Sequence, residues 1–146
     1  MVTHKGHMIR GGEEVFRELG YDECLSLLAQ VPVGRVAITV HALPVVLPVN
    51  YALMGHDIVF KTSAGTKLAA ATAGSVVAFE ADNYEEAGPS GWSVLVQGRA
   101  EEITDPAELS AAKSLQLDSL VLDGAVDHFV RIHPTRLSGR AVEPGP

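Results

Sequence analysis

Six or seven short runs rich in valine, isoleucine and threonine, set off by turn residues and never joined by a repeated strand, helix, strand unit, do most to limit what this chain can become. β-branched side chains are stiff in a helix and pack well on a pleated surface, so each run reads as a strand. The runs are Val33–Val40, Leu43–Ala52, Ile58–Thr62, Ser75–Ala81, Trp92 to about Ile103, Asp127–His133 and Leu137–Val142. Parallel pairing needs long crossovers, usually helical, and none repeats here, so the sheet is expected to be antiparallel. The fold class is mainly β with short helices: a six- to seven-stranded antiparallel barrel with helices over its openings.

Local chemistry refines that picture. His41 and Ala42 alone separate the first two runs, which pair most simply as a hairpin. Pro44 and Pro48 cannot donate to a ladder, so the second run is an edge strand or carries a break there. Gly98 marks a bend or bulge in the long Trp92 run. Three short helices are expected. One spans Asp22–Gln30, with Asp22 as N-cap and Pro32 beyond its end. Another opens near Gly65 within Ser63–Thr72 and is ended by Gly74. The last is capped by Asp105, has Pro106 at its first position and reaches about Leu117. Asp82–Gly91 carries turn signals throughout and reads as a loop. Residues 1–12 mix charge, histidine and glycine without periodicity and read as a flexible arm, leaving 13–146 as a single domain.

At 146 residues, 47% of them hydrophobic, the chain is large enough for one core. Eleven Lys and Arg against eighteen Asp and Glu argue against a broad basic face for nucleic acid. The lone Cys24 rules out an internal disulfide, and no apolar run approaches the ~20 residues of a membrane span, so a cytoplasmic protein is expected. His4, His7, His41 and His56 have no paired spacing, and no metal site is expected.

The segment Phe60–Leu68, F-K-T-S-A-G-T-K-L, gathers two lysines and three hydroxyls around a glycine turn that leads into a helix. Free N–H groups and the helix dipole attract an anion, Thr62, Ser63 and Thr66 donate hydrogen bonds, and Lys61 and Lys67 supply charge. A single phosphate monoester suits such a cradle. The plainer reading makes Lys67 an exposed helix lysine and the hydroxyls caps. The glycine spacing matches neither a P-loop nor a dinucleotide fingerprint.

The ordered set V-G-R-V-A, L-P-V-V-L-P-V-N-Y, I-V-F-K-T-S-A-G-T-K-L, V-V-A-F-E-A-D, G-W-S-V-L-V-Q-G-R-A and V-R-I-H-P-T-R-L-S-G-R resembles the pyridoxamine 5'-phosphate oxidase-like flavoproteins. Within that family it is most similar to the nitroimidazole reductase-like and flavin or deazaflavin reductase branch. The resemblance runs from about Tyr21 to Val142 and implies a split β-barrel of the FMN-binding type. It implies FMN, or a deazaflavin cofactor, at the interface of a homodimer. Leu47–Tyr51, with Pro48, Val49 and Asn50, is implied to lie along the ring, and Lys61, Thr62, Ser63, Thr66 and Lys67 to hold the phosphate. Trp92 and Ser93 are implied to reach the pocket from the partner chain. Trp92 also has a plain reading as a core aromatic. Lys61 stands where nitroimidazole reductase relatives carry histidine, and that histidine's role does not transfer.

The reaction implied is hydride transfer by a flavin- or deazaflavin-dependent reductase to a small conjugated or nitro acceptor, with no catalytic residue assigned. The alternative is a non-catalytic flavin, deazaflavin or haem-type carrier with the same pocket. The tail residues Arg131, His133, Arg136 and Arg140 have no family role to inherit, and a period-two outward face accounts for Phe129, Arg131 and His133.

Overall fold

The computed structural model describes residues 7–9, 14–63, 68–69, 74–85, 90–117 and 127–144. Its strands are β1 (His7–Ile9), β2 (Glu14–Glu18), β3 (Val33–Val40), β4 (Leu43–Met54), β5 (Asp57–Ser63), β6 (Val76–Glu85), β7 (Ser90–Glu102) and β8 (Asp127–Pro144). Helix α1 covers Tyr21–Leu28 and α2 covers Pro106–Ser114. All pairings are antiparallel. The order is β1-β2-β8-β5-β4-β3-β6-β7, and β7 pairs back onto β8, so six strands close into a barrel that β2 and β1 extend. This is the split-barrel class the sequence implies.

The hairpin β3–β4 forms in the register Val40↔Leu43 to Val33↔Asn50. Alternation fixes its faces: Val36 and Ile38 are buried, whereas Arg35 and Thr39 point out. From Leu43 to Asn50 the ladder partner of β4 is β3 alone, and from Tyr51 to Met54 it is β5. Pro44 and Pro48 therefore sit where one side of β4 has no ladder to interrupt. Gly34 is needed for packing, because a Cβ there would collide with the Phe79 ring. That ring packs edge-on against Tyr51 at 4.7 Å, and Tyr51 donates a 2.5 Å hydrogen bond to the Leu28 carbonyl.

Gly98 lies at the register shift between β7 and β8, where Gln97 pairs with Arg136 and Gly98 with Pro134. Thr135 is the extra residue, and a Cβ at Gly98 would strike the His133 carbonyl oxygen. Through this bulge the tail runs as one long strand, β8, in place of the two expected around His133 and Pro134.

Four further differences from the sequence reading have local causes. β1 and β2 add an edge hairpin on β8, and β1 lies within residues 1–12. Asp82–Glu85, read as loop, continues β6 because each of its residues finds a partner in Ser90–Ser93. α1 is capped two residues earlier than expected and ends at Leu28 rather than Gln30: Gly20 is the N-cap, its N–H donates to Glu23 Oε1 at 3.1 Å, and Asp22 falls in the first turn. α2 keeps its expected cap, Asp105 Oδ2 accepting from the Glu108 N–H at 3.0 Å, but ends at Ser114. Of the stretch Ser63–Thr72 in which a helix is expected, Ser63 ends β5, and of the rest only Leu68 and Ala69 are described, both helical.

The core divides in two. Phe60, Phe79, Ile58, Ile132, Val94, Val96 and the α1 residues Cys24 and Leu28 fill the barrel. A smaller cluster, Val59, Ile103, Ala112 and Phe129, lies outside the barrel wall under α2. Phe129 and Arg131 thus face α2 rather than solvent, whereas the His133 side chain is exposed.

Candidate functional site

The strand end that leads into the phosphate-type segment is β5, and its alternation decides where each side chain points. Ile58 and Phe60 face the barrel core, and Thr62 follows them with 3% exposure. Its Oγ1 is buried and has no hydrogen-bond partner among the described residues. Such an atom costs about 1–3 kcal/mol when left without a partner. Lys61 points the other way: Nζ donates to the Leu117 carbonyl at 2.8 Å and lies 5.9 Å from the centre of the Phe129 ring. Ser63 ends β5. The Ser63 side chain, Thr66 and Lys67 lie outside the described residues.

The ring-side segment divides by the same rule. Pro48 and Asn50 face outward opposite Arg35 and Val33, and Val49 is buried in the core. Trp92 turns inward, 8% exposed and packed in the core. It forms the floor of a cavity of about 430 Å³ as part of an in-register row, Arg17, Ala141, Trp92 and Asn83, with α1 along one side. Ser93 turns outward between Asp82 and Arg140. The structure therefore gathers Pro48, Asn50 and Ser93 on one outer sheet face, and turns Val49, Thr62 and Trp92 inward.

Thr62 pairs with His128 near the start of β8, and Trp92 pairs with Ala141 near its end. The contour between those two positions is about 43 Å at about 3.3 Å per residue. Within one chain, the two ends of the expected cofactor site sit at opposite ends of the longest strand.

Charges missed by the sequence motifs lie on the same outer face. Arg35 Nη1 is 3.8 Å from Glu80 Oε1 and 4.0 Å from Asp82 Oδ2. Burial, with Asp82 beside it, pushes the Glu80 carboxyl up to about 7, against the opposing pull of Arg35. The i, i+2 spacing of Glu80 and Asp82 was the available signal, since it puts both on one face of a strand. A second network ties α2 to the barrel. Arg131 Nη1 contacts Glu108 Oε2 at 2.5 Å and Asp57 Oδ2 at 3.4 Å, and His133 Nδ1 lies 2.7 Å from Asp57 Oδ1. Among the described residues no group of three or more His, Cys, Asp or Glu could hold a metal ion, and no helix is long and apolar enough to cross a membrane.

Comparison with known proteins follows the fold. The family pattern for pyridoxamine 5'-phosphate oxidase matches residues 21–141. The chain belongs to this family. Mycobacterium tuberculosis Rv0080 is 37% identical over 127 residues, covering 84% of this chain and 82% of that protein. The FAD binding protein from Mycobacterium smegmatis has a similar structure, with TM-score 0.74 and 35% identity over 85% of this chain and 95% of its own. An FAD-binding protein from Mesorhizobium loti superposes with TM-score 0.67 and 26% identity, covering 89% of this chain and 98% of its own.

Proposed function

We propose that this protein is a flavin-dependent reductase that binds FMN by its phosphate at the β5 end and works as a homodimer. The observation that carries the reading is Thr62 Oγ1, buried and without a hydrogen-bond partner among the described residues, at the head of the T-S-A-G-T-K segment. A buried hydroxyl in that state calls for an acceptor, and a phosphate oxygen is the acceptor this segment suits. The FAD-binding relatives from Mycobacterium smegmatis and Mesorhizobium loti support a flavin. One short cradle favours the single phosphate of FMN over the two of FAD.

A bound flavin supplies hydride transfer to a small conjugated or nitro acceptor. The chain's own share is binding and orientation. Thr62 donates to the phosphate, Lys67 adds charge, and the Pro48–Asn50 backbone lines the ring. The outer face supports the reading of a second chain. It holds Val33, Val46, Val76, Tyr84 and Leu95, five of the seven large hydrophobics exposed among the described residues. It also holds Pro48, Asn50 and Ser93, so a partner laid on it brings its own Ser93 to the ring-side strand.

The test compares wild-type protein with Lys67→Ala in titrations with FMN, FAD and the deazaflavin cofactor, followed by turnover with nitro and enone acceptors. The variant is expected to weaken FMN binding by roughly 1.5–3 kcal/mol, the scale of a charged hydrogen bond. Tighter binding of the deazaflavin moves the cofactor assignment. Binding without turnover supports a carrier. Unchanged affinity in the variant removes the phosphate assignment.

A further inference from the structure

The rim of the barrel beside Thr62 holds a second polar group. In the β5–β8 ladder His128 stands directly opposite Thr62. Residues paired in this way project from the same face of a sheet, with Cβ atoms about 4.5–5.5 Å apart. The next inward pairs, Phe60 with Val130 and Ile58 with Ile132, are buried in the barrel core, so Thr62 and His128 end the same inward rows. On the other side of β8, Glu102 pairs with Val130, one inward position along from His128. His128 Nδ1 lies 2.7 Å from Glu102 Oε2. Three adjacent strands, β5, β8 and β7, thus set Thr62, His128 and Glu102 side by side at one rim.

A carboxylate only accepts hydrogen bonds, so the hydrogen between His128 and Glu102 is carried by Nδ1. The other ring nitrogen, Nε2, has no hydrogen-bond partner among the described residues. Neither has the neighbouring Thr62 Oγ1, on a residue only 3% exposed. The neutral ring offers a lone pair at Nε2. The protonated ring offers a second N–H there, with a positive charge whose counter-ion, Glu102, is already in place. Among the described residues no other inward side chain of the six barrel strands can carry positive charge, since Lys61 is turned to the opposite face of β5.

Building on the phosphate reading of Thr62, we infer that His128, positioned by Glu102, is a second ligand of the cofactor phosphate and donates to it from Nε2 as the imidazolium. With Nδ1–H committed to Glu102, the ring donates to a phosphate oxygen only after gaining a proton, so FMN binding takes up a proton. The charged ring also stands between two anions, the phosphate and the Glu102 carboxylate, which would otherwise repel each other across the rim. Among the described residues the groups facing the ring are Glu102 from β7 and Thr62 from β5; α2 packs on the opposite face of β8, over Phe129. FMN affinity is therefore greatest with the ring charged and is lost as pH rises through the range in which histidine gives up its proton. The lower limit of that window is about pH 6, where a phosphate monoester takes up a proton of its own. Riboflavin, which has the same ring and chain without the phosphate, gives the imidazolium nothing to meet.

The experiment titrates the full chain with FMN and with riboflavin at pH 6.5 and pH 8.5, as wild type, His128→Ala, Glu102→Gln and Thr62→Val, with circular dichroism confirming each fold. Wild-type affinity for FMN is expected to fall about 10-fold between the two pH values, with riboflavin affinity level. His128→Ala is expected to bind FMN at least about 10-fold more weakly at pH 6.5, the loss of a charged hydrogen bond, and equally at both pH values. Glu102→Gln lets the side-chain amide donate to Nδ1, so a neutral ring keeps its hydrogen on Nε2, and the change with pH is expected to shrink below about threefold. A profile for Glu102→Gln as steep as that of wild type overturns the positioning by Glu102. FMN affinity unchanged in His128→Ala but weakened in Thr62→Val overturns the role of His128 and leaves the phosphate reading standing. Equal losses of FMN and riboflavin in His128→Ala show a structural role alone and overturn it as well. FMN affinity unchanged in both variants, or no binding by wild type at either pH, removes the phosphate reading and the role of His128 together. If His128→Ala fails to fold, the wild-type profiles decide: FMN affinity that stays level between pH 6.5 and pH 8.5 rejects the imidazolium ligand.

Discussion

Replacing Thr62 by valine should move stability and cofactor affinity in opposite directions. The two side chains have nearly the same shape, and Thr62 is only 3% exposed, so the change swaps a hydroxyl for a methyl with little repacking. In the cofactor-free chain that hydroxyl has no partner among the described residues. Its removal is expected to raise stability by about 1–2 kcal/mol, within the range for an unsatisfied buried polar group. For a chain of this size that is a rise in Tm of about 2–8 °C. The same hydroxyl is the proposed donor to a phosphate oxygen, a charge-assisted bond of about 1.5–3 kcal/mol. FMN should therefore bind the variant roughly 10- to 150-fold more weakly. Differential scanning calorimetry without cofactor gives the first number, and equilibrium titration at matched temperature gives the second. A variant neither more stable nor weaker in FMN binding refutes the argument. One that is less stable shows that the hydroxyl already has a partner within the chain.

Lys61→Met is expected to lower stability by about 1–2 kcal/mol through loss of the bond to the Leu117 carbonyl and the contact with Phe129, and to change FMN affinity less than about threefold; denaturation and titration of one sample read both. Gly34→Ala should cost about 2–3 kcal/mol, because the new methyl overlaps the Phe79 ring, and urea unfolding measures it. Glu80 has a raised pKa in the folded chain, so its contribution to stability is full below the ordinary carboxylate range and is lost as pH rises through about 7. Urea midpoints at pH 5 and pH 8 should show that loss, and Glu80→Gln should abolish it.

What the sequence could show follows from the range of the interactions involved. The β3–β4 hairpin is fixed by residues close in the chain, and Pro44, Pro48 and Gly98 carry their backbone limits in their own residue types, so all three features were legible. β1 was not, because His7–Ile9 owes its strand to an edge position on β2 rather than to its own composition. Asp82–Glu85 carries loop residues and is held extended by its partners across the hairpin. The phosphate-type segment could be found from residue types alone, but the opposite facing of Lys61 and Thr62 depends on which face of β5 meets α2. Likewise Trp92 and Ser93 are neighbours in sequence and lie on opposite faces. The Arg35, Glu80 and Asp82 group needed the β3–β6 register, a pairing of strands distant in the chain.

The most direct measurement of the central claim is the absorption spectrum of the purified full-length chain before and after equilibration with FMN and removal of free cofactor. The account predicts a flavin spectrum at one FMN per chain, with the fluorescence of Trp92, the only tryptophan, changing in step as the sites fill. Protein that stays colourless, with tryptophan emission unaltered at saturating FMN, contradicts it.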